Sequence, residues 1–397
     1  MSEPYLPARM KPFRAAPAER RRILPALVLF LLSACTVAGP APETPPPARD
    51  APPREPVREA PLVRLGVVLP QGGALQPYAT AVLEGIRVAA ADHERTGAHR
   101  VELEVRDAST REQVSAAVRE LAAAGVVAII GPLLEENVGV AARARPDPGL
   151  LLISPTATQN PGLPNAYALN VSDTLGAAAL ARHAASRPGA TGVLYARTPD
   201  ATLQAQAFRH AYRAASGDGA PIEIAYSPGT TTYAAQVRQL RDAGVRTLLL
   251  VGVDTDVRQI LPQLRYYGLE ADVLGTGPWT TPDGIRAIGI RELEGAVLAV
   301  PFLEEDPASG WQRFRHAYEQ TYRRSLENAI PALGHDAALL VLGALPDGRV
   351  DADGARRALS RARDVSAATG RLVVAGTELG RAPQLVQVRE GRLVPLP

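Results

Sequence analysis

From Leu62 onward, short apolar segments rich in β-branched residues alternate with segments of helical period, and few architectures accept that alternation. Residues 63–69 (VRLGVVL) are mostly apolar, as expected of a strand buried on both faces. A helix follows over 78–91, with Val82, Ile86 and Ala89 on one stripe. Residues 101–105 form a second strand. Thr110 starts the next helix, and Gln113 three residues on completes a capping-box pattern. In that helix Val114, Ala117, Val118 and Leu121 face the core, and Gly125 ends it. Strands over 126–130 and 150–153 come next. This alternation of strand and helix predicts a parallel, doubly wound sheet with helices on both faces.

A second series begins near Ser172. It has strands over 191–195, 222–226 and 245–251 and helices over 203–214, 233–242 and 257–267, the last stopped by Gly268. Residues 113–131 and 236–252 echo each other: an amphipathic helix, Ala-Gly, then an apolar strand ending in Gly. Two similar units far apart predict two lobes of like construction; no short fixed period recurs, so a solenoid is excluded. Helices over 311–324 and 330–345 and strands over 371–374 and 384–388 complete the chain.

The chain before Leu62 is of another kind. Arg20, Arg21 and Arg22 form a cationic n-region, 23–32 an apolar h-region, and Ser33-Ala34 a small-residue cleavage site. The apolar run is about 10 residues, against roughly 20 for a membrane-crossing helix, so it reads as a removable signal. Either Met1 or Met10 is the start. Cys35, the only cysteine, closes the run, so no internal disulfide and no cysteine-ligated zinc site can form. Residues 36–61 carry Pro45-Pro46-Pro47 and Pro52-Pro53 among charges and read as a tether, extended at about 3.1 Å per residue. A net charge of +2 with no long basic face argues against nucleic acid as a partner, and none is expected.

Several short pieces recur together in order: Leu65-Gly66-Val67-Val68-Leu69-Pro70, Ile129-Ile130-Gly131-Pro132, Ser154-Pro155-Thr156-Ala157-Thr158, Arg265-Tyr266-Tyr267-Gly268 and the tail Leu385-Val386-Gln387-Val388. The succession resembles the type I periplasmic-binding fold of the leucine/isoleucine/valine-binding family over nearly all of 62–397. The resemblance implies two lobes, one of about 63–170 with 301–360, the other of about 171–300 with 361–397, and a ligand cleft between them. Leu32-Ser33-Ala34-Cys35 likewise resembles the lipobox of bacterial lipoproteins. That resemblance implies a lipidated Cys35 holding the protein to a membrane of the cell envelope, facing the periplasm. Thr36 stands where an inner-membrane retention signal has aspartate, which implies sorting to the outer membrane.

The resemblance also implies an amino-acid clamp, and most of it is missing. Thr156 and Thr158 match the family's carboxylate-binding loop, or else serve the turns around Pro155 and Pro161. After Gly131-Pro132, Glu135 and Glu136 follow where a serine is expected. A carboxylate there repels a ligand carboxylate, or else supports the next helix N-terminus. Thr198, Pro199 and Asp200 replace one family tyrosine, Asp254 and Thr255 fall at another, and Gly277-Pro278-Trp279 falls at the amine-binding acid. The expected cleft residues are therefore Gln71, Tyr78, Glu135, Thr156, Thr158, Asp254 and Trp279. Trp279 either stacks on a sugar or aromatic ligand or anchors lobe packing.

Catalytic signatures are lacking: there is no G-x-S-x-G elbow, phosphate loop or H-E-x-x-H, and the six histidines are scattered. His335-Asp336 reads as a helix start, with Asp at the favourable dipole end. No enzyme activity, cofactor or metal is expected. Within the fold, Arg265-Tyr266-Tyr267-Gly268, Gly277-Pro278-Trp279 and Leu293-Glu294-Gly295-Ala296 make the chain most like the penicillin-binding protein activator lipoproteins. That likeness implies an envelope protein that activates a peptidoglycan synthase. The alternative is a solute-binding lipoprotein of an ABC importer, closing by a hinge motion on a small amino-acid-like or amide ligand.

Overall fold

The computed structural model describes residues 60–396 apart from 170–172, 218, 306–308, 376 and 377. The signal segment, Cys35 and the tether up to residue 59 lie outside the described residues. The first lobe opens with β1 (Leu62–Leu69), α1 (Gln76–Glu94), β2 (Arg100–Asp107), α2 (Arg111–Ala123), β3 (Ala128–Ile130), α3 (Glu135–Ala144), β4 (Leu151–Ser154) and β5 (Ala166–Ala168). These strands make a parallel five-stranded sheet in the order β2-β1-β3-β4-β5.

Strand β1 lies inside the sheet, between β2 and β3, and both its faces are apolar. Val63, Leu65, Val67 and Leu69 pack toward α1 on one face, while Val68 joins Val114, Val118, Leu121 and Val138 from α2 and α3 on the other. That is the period-two alternation of a strand sandwiched between helix layers. The capping box at α2 forms as expected: the Gln113 backbone N–H donates to Thr110 Oγ1 (3.3 Å), and Gln113 Oε1 accepts from the Thr110 N–H (2.8 Å).

After β5 the chain enters the second lobe with α4 (Thr174–Ala185), β6 (Ala190–Ala196), α5 (Pro199–Ser216), β7 (Ile222–Tyr226), α6 (Ala234–Asp242), β8 (Val245–Val251), α7 (Asp254–Tyr266), β9 (Asp272–Thr276), α8 (Pro282–Ile288) and β10 (Val297–Val300). It then returns to the first lobe with α9 (Gly310–Tyr322), α10 (Ile330–Leu342) and α11 (Ala352–Arg361). Strands β11 (Asp364–Ala367), β12 (Gly370–Ala375) and β13 (Glu378–Arg381) form a small antiparallel sheet, and β14 (Gln384–Arg389) and β15 (Arg392–Pro395) close the chain. The second sheet runs β15-β14-β10-β9-β8-β6-β7, parallel from β10 to β7, with β14 antiparallel on β10.

Two sequence expectations are corrected here. Residues 361–397 do not all join the second lobe: Ala367, Leu372, Val374 and Leu379 share the core of β1, α1 and α10, and only β14 and β15 pair with the second sheet. His335 and Asp336 do not start a helix either; they sit inside α10, both buried, and the helix starts at 330 as its span over 330–345 predicted. Pro331 is accommodated in its first turn.

Helices α1 and α10 cross at backbone contact, and two glycines permit it. A Cβ on Gly85 would lie 1.7 Å from the Pro331 carbonyl oxygen, and one on Gly334 would lie 2.0 Å from that of Val82. Gly85→Ala is therefore expected to lower stability by about 3 kcal/mol, although alanine is the better helix former by about 1 kcal/mol. Gly72→Ala, with nothing within 4 Å of the added carbon, should stay within about 0.5 kcal/mol of the parent. Urea unfolding of the two variants checks the contrast.

Candidate functional site

Where strands β6, β9 and β10 end, their following loops face the first lobe across a cavity of about 710 Å³, a size suited to a small organic ligand. Such crevices at the carboxyl ends of strands are where open α/β sheets bind ligands. The first-lobe wall is largely apolar, formed by Tyr78, Phe302, Ile330 and Leu333 with Thr158 and Asn328. The second-lobe wall is polar and carries Asp173, Asp200, Gln204 and Asp283. Thr369 and Arg381 line the base, where the chain passes between the lobes.

Each polar group is placed by local chemistry. Asp173 caps α4: one carboxylate oxygen accepts from the Gly176 N–H (2.8 Å), the other from the Thr276 hydroxyl (2.7 Å). Burial pushes its pKa above the usual carboxylate value, and the Thr276 hydroxyl opposes that rise. Thr198 caps α5, which sets Asp200 in the first turn and Gln204 one turn on. Gln204 Nε2 donates to the Asp200 carboxylate at 2.8 Å. The Thr280 hydroxyl donates to the Ala299 carbonyl (2.7 Å) and so pins the loop after β9 to β10.

Behind the base lies Asp336, fully buried on α10. Its carboxylate accepts from the Ala368 N–H (2.7 Å), the Thr369 N–H (2.8 Å), the Thr369 hydroxyl (2.6 Å) and the His335 imidazole (2.9 Å). Thr369 Oγ1 in turn accepts from Arg381 Nε (3.1 Å) and Nη2 (3.0 Å). Burial lowers the Arg381 pKa, and the carboxylates of Asp336 and Asp173 act to raise it; the guanidinium stays charged.

The structure brings few of the expected residues to the cavity. Tyr78 and Thr158 line it. Glu135 opens α3 and accepts from the Thr158 hydroxyl (2.7 Å) and N–H (3.2 Å), so it ties the loop after β4 to that helix. The Thr156 hydroxyl donates to the Leu133 carbonyl (2.6 Å), and Gln71 and Asp254 stand away from the lining. Of the two roles open to Trp279, ligand stacking and packing anchor, the structure gives the anchor, and Trp279 leaves the set of expected cleft residues. It is fully buried, its Nε1 donates to the Leu250 carbonyl (3.1 Å), and its ring occupies the space beside Gly275. Sequence reading missed Asp173, Gln204 and Arg381. The Asp173 cap before an alanine-rich helix was a usable local signal; Arg381 offered none, because its partners lie in other segments.

Among the described residues no cluster of three or more His, Cys, Asp or Glu side chains is arranged to hold a metal ion. No helix among them is long and apolar enough to cross a membrane.

Residues 62–391 match the family described as periplasmic binding protein, and the chain belongs to that family. Members are solute-binding proteins, which are non-enzymatic, and the family implies a periplasmic or envelope-associated location. Solved structures with the same fold include a protein assigned to a branched-chain amino acid ABC transporter of Rhodospirillum rubrum. It is 22% identical, with a TM-score of 0.74, covering 84% of this chain and 100% of that one. The branched-chain amino acid binding protein LivJ of Streptococcus pneumoniae, in complex with isoleucine, is 18% identical with a TM-score of 0.60, covering 84% and 99%. A solute-binding protein from R. palustris, in complex with benzoate, is 14% identical with a TM-score of 0.56, covering 84% and 95%. At these identities the likeness is one of fold. No curated protein matches the sequence.

Two outcomes follow from the buried carboxylates. Asp336→Ala leaves three donors of Thr369 and Ala368 without their acceptor and should cost about 3 kcal/mol or more, read by urea unfolding. Asp173, with its folded pKa raised above 3.8, binds its proton more tightly folded than unfolded. Its contribution is thus present at low pH and lost as pH rises from about 4 through the raised value. Asp173→Asn should flatten that decline in stability measured from pH 4 to 7.

Proposed function

We propose that the protein is an envelope solute-binding protein that encloses a small organic molecule between its lobes and delivers it to an ABC permease. The observation that carries this reading is the cavity itself. An apolar wall and a polar wall from separate lobes meet at strand ends, with side chains from both positioned around one space of ligand size. The family and the ligand-bound relatives support it, since LivJ holds isoleucine and the R. palustris protein holds benzoate. Lipidation of Cys35 and the proline-rich tether would keep the binding domain near the membrane while the lobes move.

The ligand is not a free amino acid held by the family's clamp. The Thr156 and Thr158 hydroxyls donate to Leu133 and Glu135, and Asp200 stands at the place of a clamp tyrosine. A second reading, activation of a peptidoglycan synthase from the outer membrane, rests on Thr36 after Cys35 and on the depleted clamp; the comparisons lend it no support.

Titration calorimetry with leucine, isoleucine, benzoate, short amides, aralkyl amines and muropeptides tests the choice. Saturable binding of any one small solute with a micromolar or tighter Kd is the expected result. Failure of all of them, together with capture of a penicillin-binding protein by the purified protein, would overturn it.

A further inference from the structure

We propose that a small cavity at the ends of β1, β2 and β3 is a second ligand site, one that takes a phenolic ring and receives its hydroxyl on Asn137. The cavity measures about 190 Å³ and shares no lining residue with the larger one between the lobes. A space of roughly 150 Å³ is enough for benzene. Exposed Gly72, Ser109 and Leu134 stand at its mouth, and Ala108, Pro132 and Asn137 are buried in its wall. Asn137 is 4% exposed, and its Oδ1 has no hydrogen-bond donor among the described residues. A buried carbonyl oxygen in that condition costs stability, and a ligand O–H recovers it. Water finds few further partners there, because Ser109, the other polar side chain of the lining, already donates to Asp107 at 3.0 Å.

The second lobe shows what an acceptor at this place holds. Strand register makes the two sheets comparable: Val67 of β1 lies beside Val105 and Ile130, and Tyr195 of β6 lies beside Ala225 and Val251. One residue further on, Arg106 of β2 therefore corresponds to Tyr226 of β7. The N-cap residues of α2 and α6 are Thr110 and Tyr233, and the third residues of α3 and α7 are Asn137 and Asp256. In the second lobe these residues close the space themselves. The Tyr226 hydroxyl donates to the Asp256 carboxylate at 2.9 Å, and the Tyr233 ring meets Tyr226 edge to face at 5.2 Å. The first lobe has neither ring. Arg106 is drawn to Glu104 (3.1 Å) and Glu120 (3.2 Å), and Thr110 is engaged in the capping box of α2. The acceptor is kept at Asn137 without an aromatic cover from the chain, and the ligand supplies that ring and its donor.

NMR titration of the isotope-labelled full chain with p-cresol, 4-methylanisole and N-acetyltyrosine methylamide tests the site. The expected result is that p-cresol shifts the Asn137 side-chain amide and binds at least about tenfold more tightly than 4-methylanisole, which has the ring without the donor. Asn137→Leu should weaken p-cresol about tenfold, whereas Asn137→Asp, which installs the acceptor found in the second lobe, should retain it. Thermal melts establish that both variants fold, and the Asn137 amide shift in the parent remains the readout if Asn137→Leu does not. Binding of the tyrosine derivative as well as p-cresol assigns the site to a tyrosine side chain of a peptide; binding of p-cresol alone assigns it to a free phenol. If p-cresol binds parent and Asn137→Leu equally, or 4-methylanisole binds as tightly as p-cresol, the proposal falls. It falls also if no phenol shifts the Asn137 amide, the cavity then holding water only. None of these results bears on the solute-binding reading, which concerns the other cavity.

Discussion

The Asp336 carboxylate is the interaction on which the junction of the lobes depends. An ion so deeply buried is tolerated only when its lone pairs are met, and here the turn between β11 and β12 supplies two backbone N–H groups and a hydroxyl. The carboxylate therefore fixes the small antiparallel sheet against α10. Thr369 passes the arrangement on, since its oxygen donates toward Asp336 and accepts from Arg381. Arg381 in turn lies in the field of Asp173, which the Thr276 hydroxyl of the second lobe also holds. Charge and hydrogen bonds thus run from the first lobe's helices, through the returning strands, to the capping residue of α4.

Around that junction each lobe is packed by ordinary means. The first is closed by the glycine-mediated crossing of α1 and α10, which brings α10 near enough for Asp336 to reach the turn. The second is organised by Trp279, whose indole fills the space beside Gly275 and bonds β8 through the Leu250 carbonyl. Burial of a side chain that size stabilises by roughly 3 kcal/mol relative to a small residue, and it also holds the loop after β9 that forms part of the cavity. Packing and site geometry share the same residue.

The cavity walls differ in character because they come from elements with different duties. The first-lobe wall is the edge of a hydrophobic cluster in which Phe302 stacks on Trp311. The second-lobe wall is made of helix N-termini, where capping and first-turn residues are short and polar. Asp173 and Asp200 stand there for local reasons.

The longer strands and helices, the doubly wound alternation and the pairing of two like lobes were legible from local sequence, because period-two and helical patterns record which faces are buried; α3, β5, α4, β9, α8, β10 and α11 were not read from it. The capping box at Thr110 and the lipobox pattern at Cys35 are equally local, the latter outside the described residues. Tertiary structure alone decided that Trp279 is core, that Asp336 is a buried acceptor within a helix, and that 364–381 packs with the first lobe. It alone brought Gln204, Asp173 and Arg381 to one space. A polar side chain's role depends on which partners reach it, and these come from segments joined only where the chain passes between lobes.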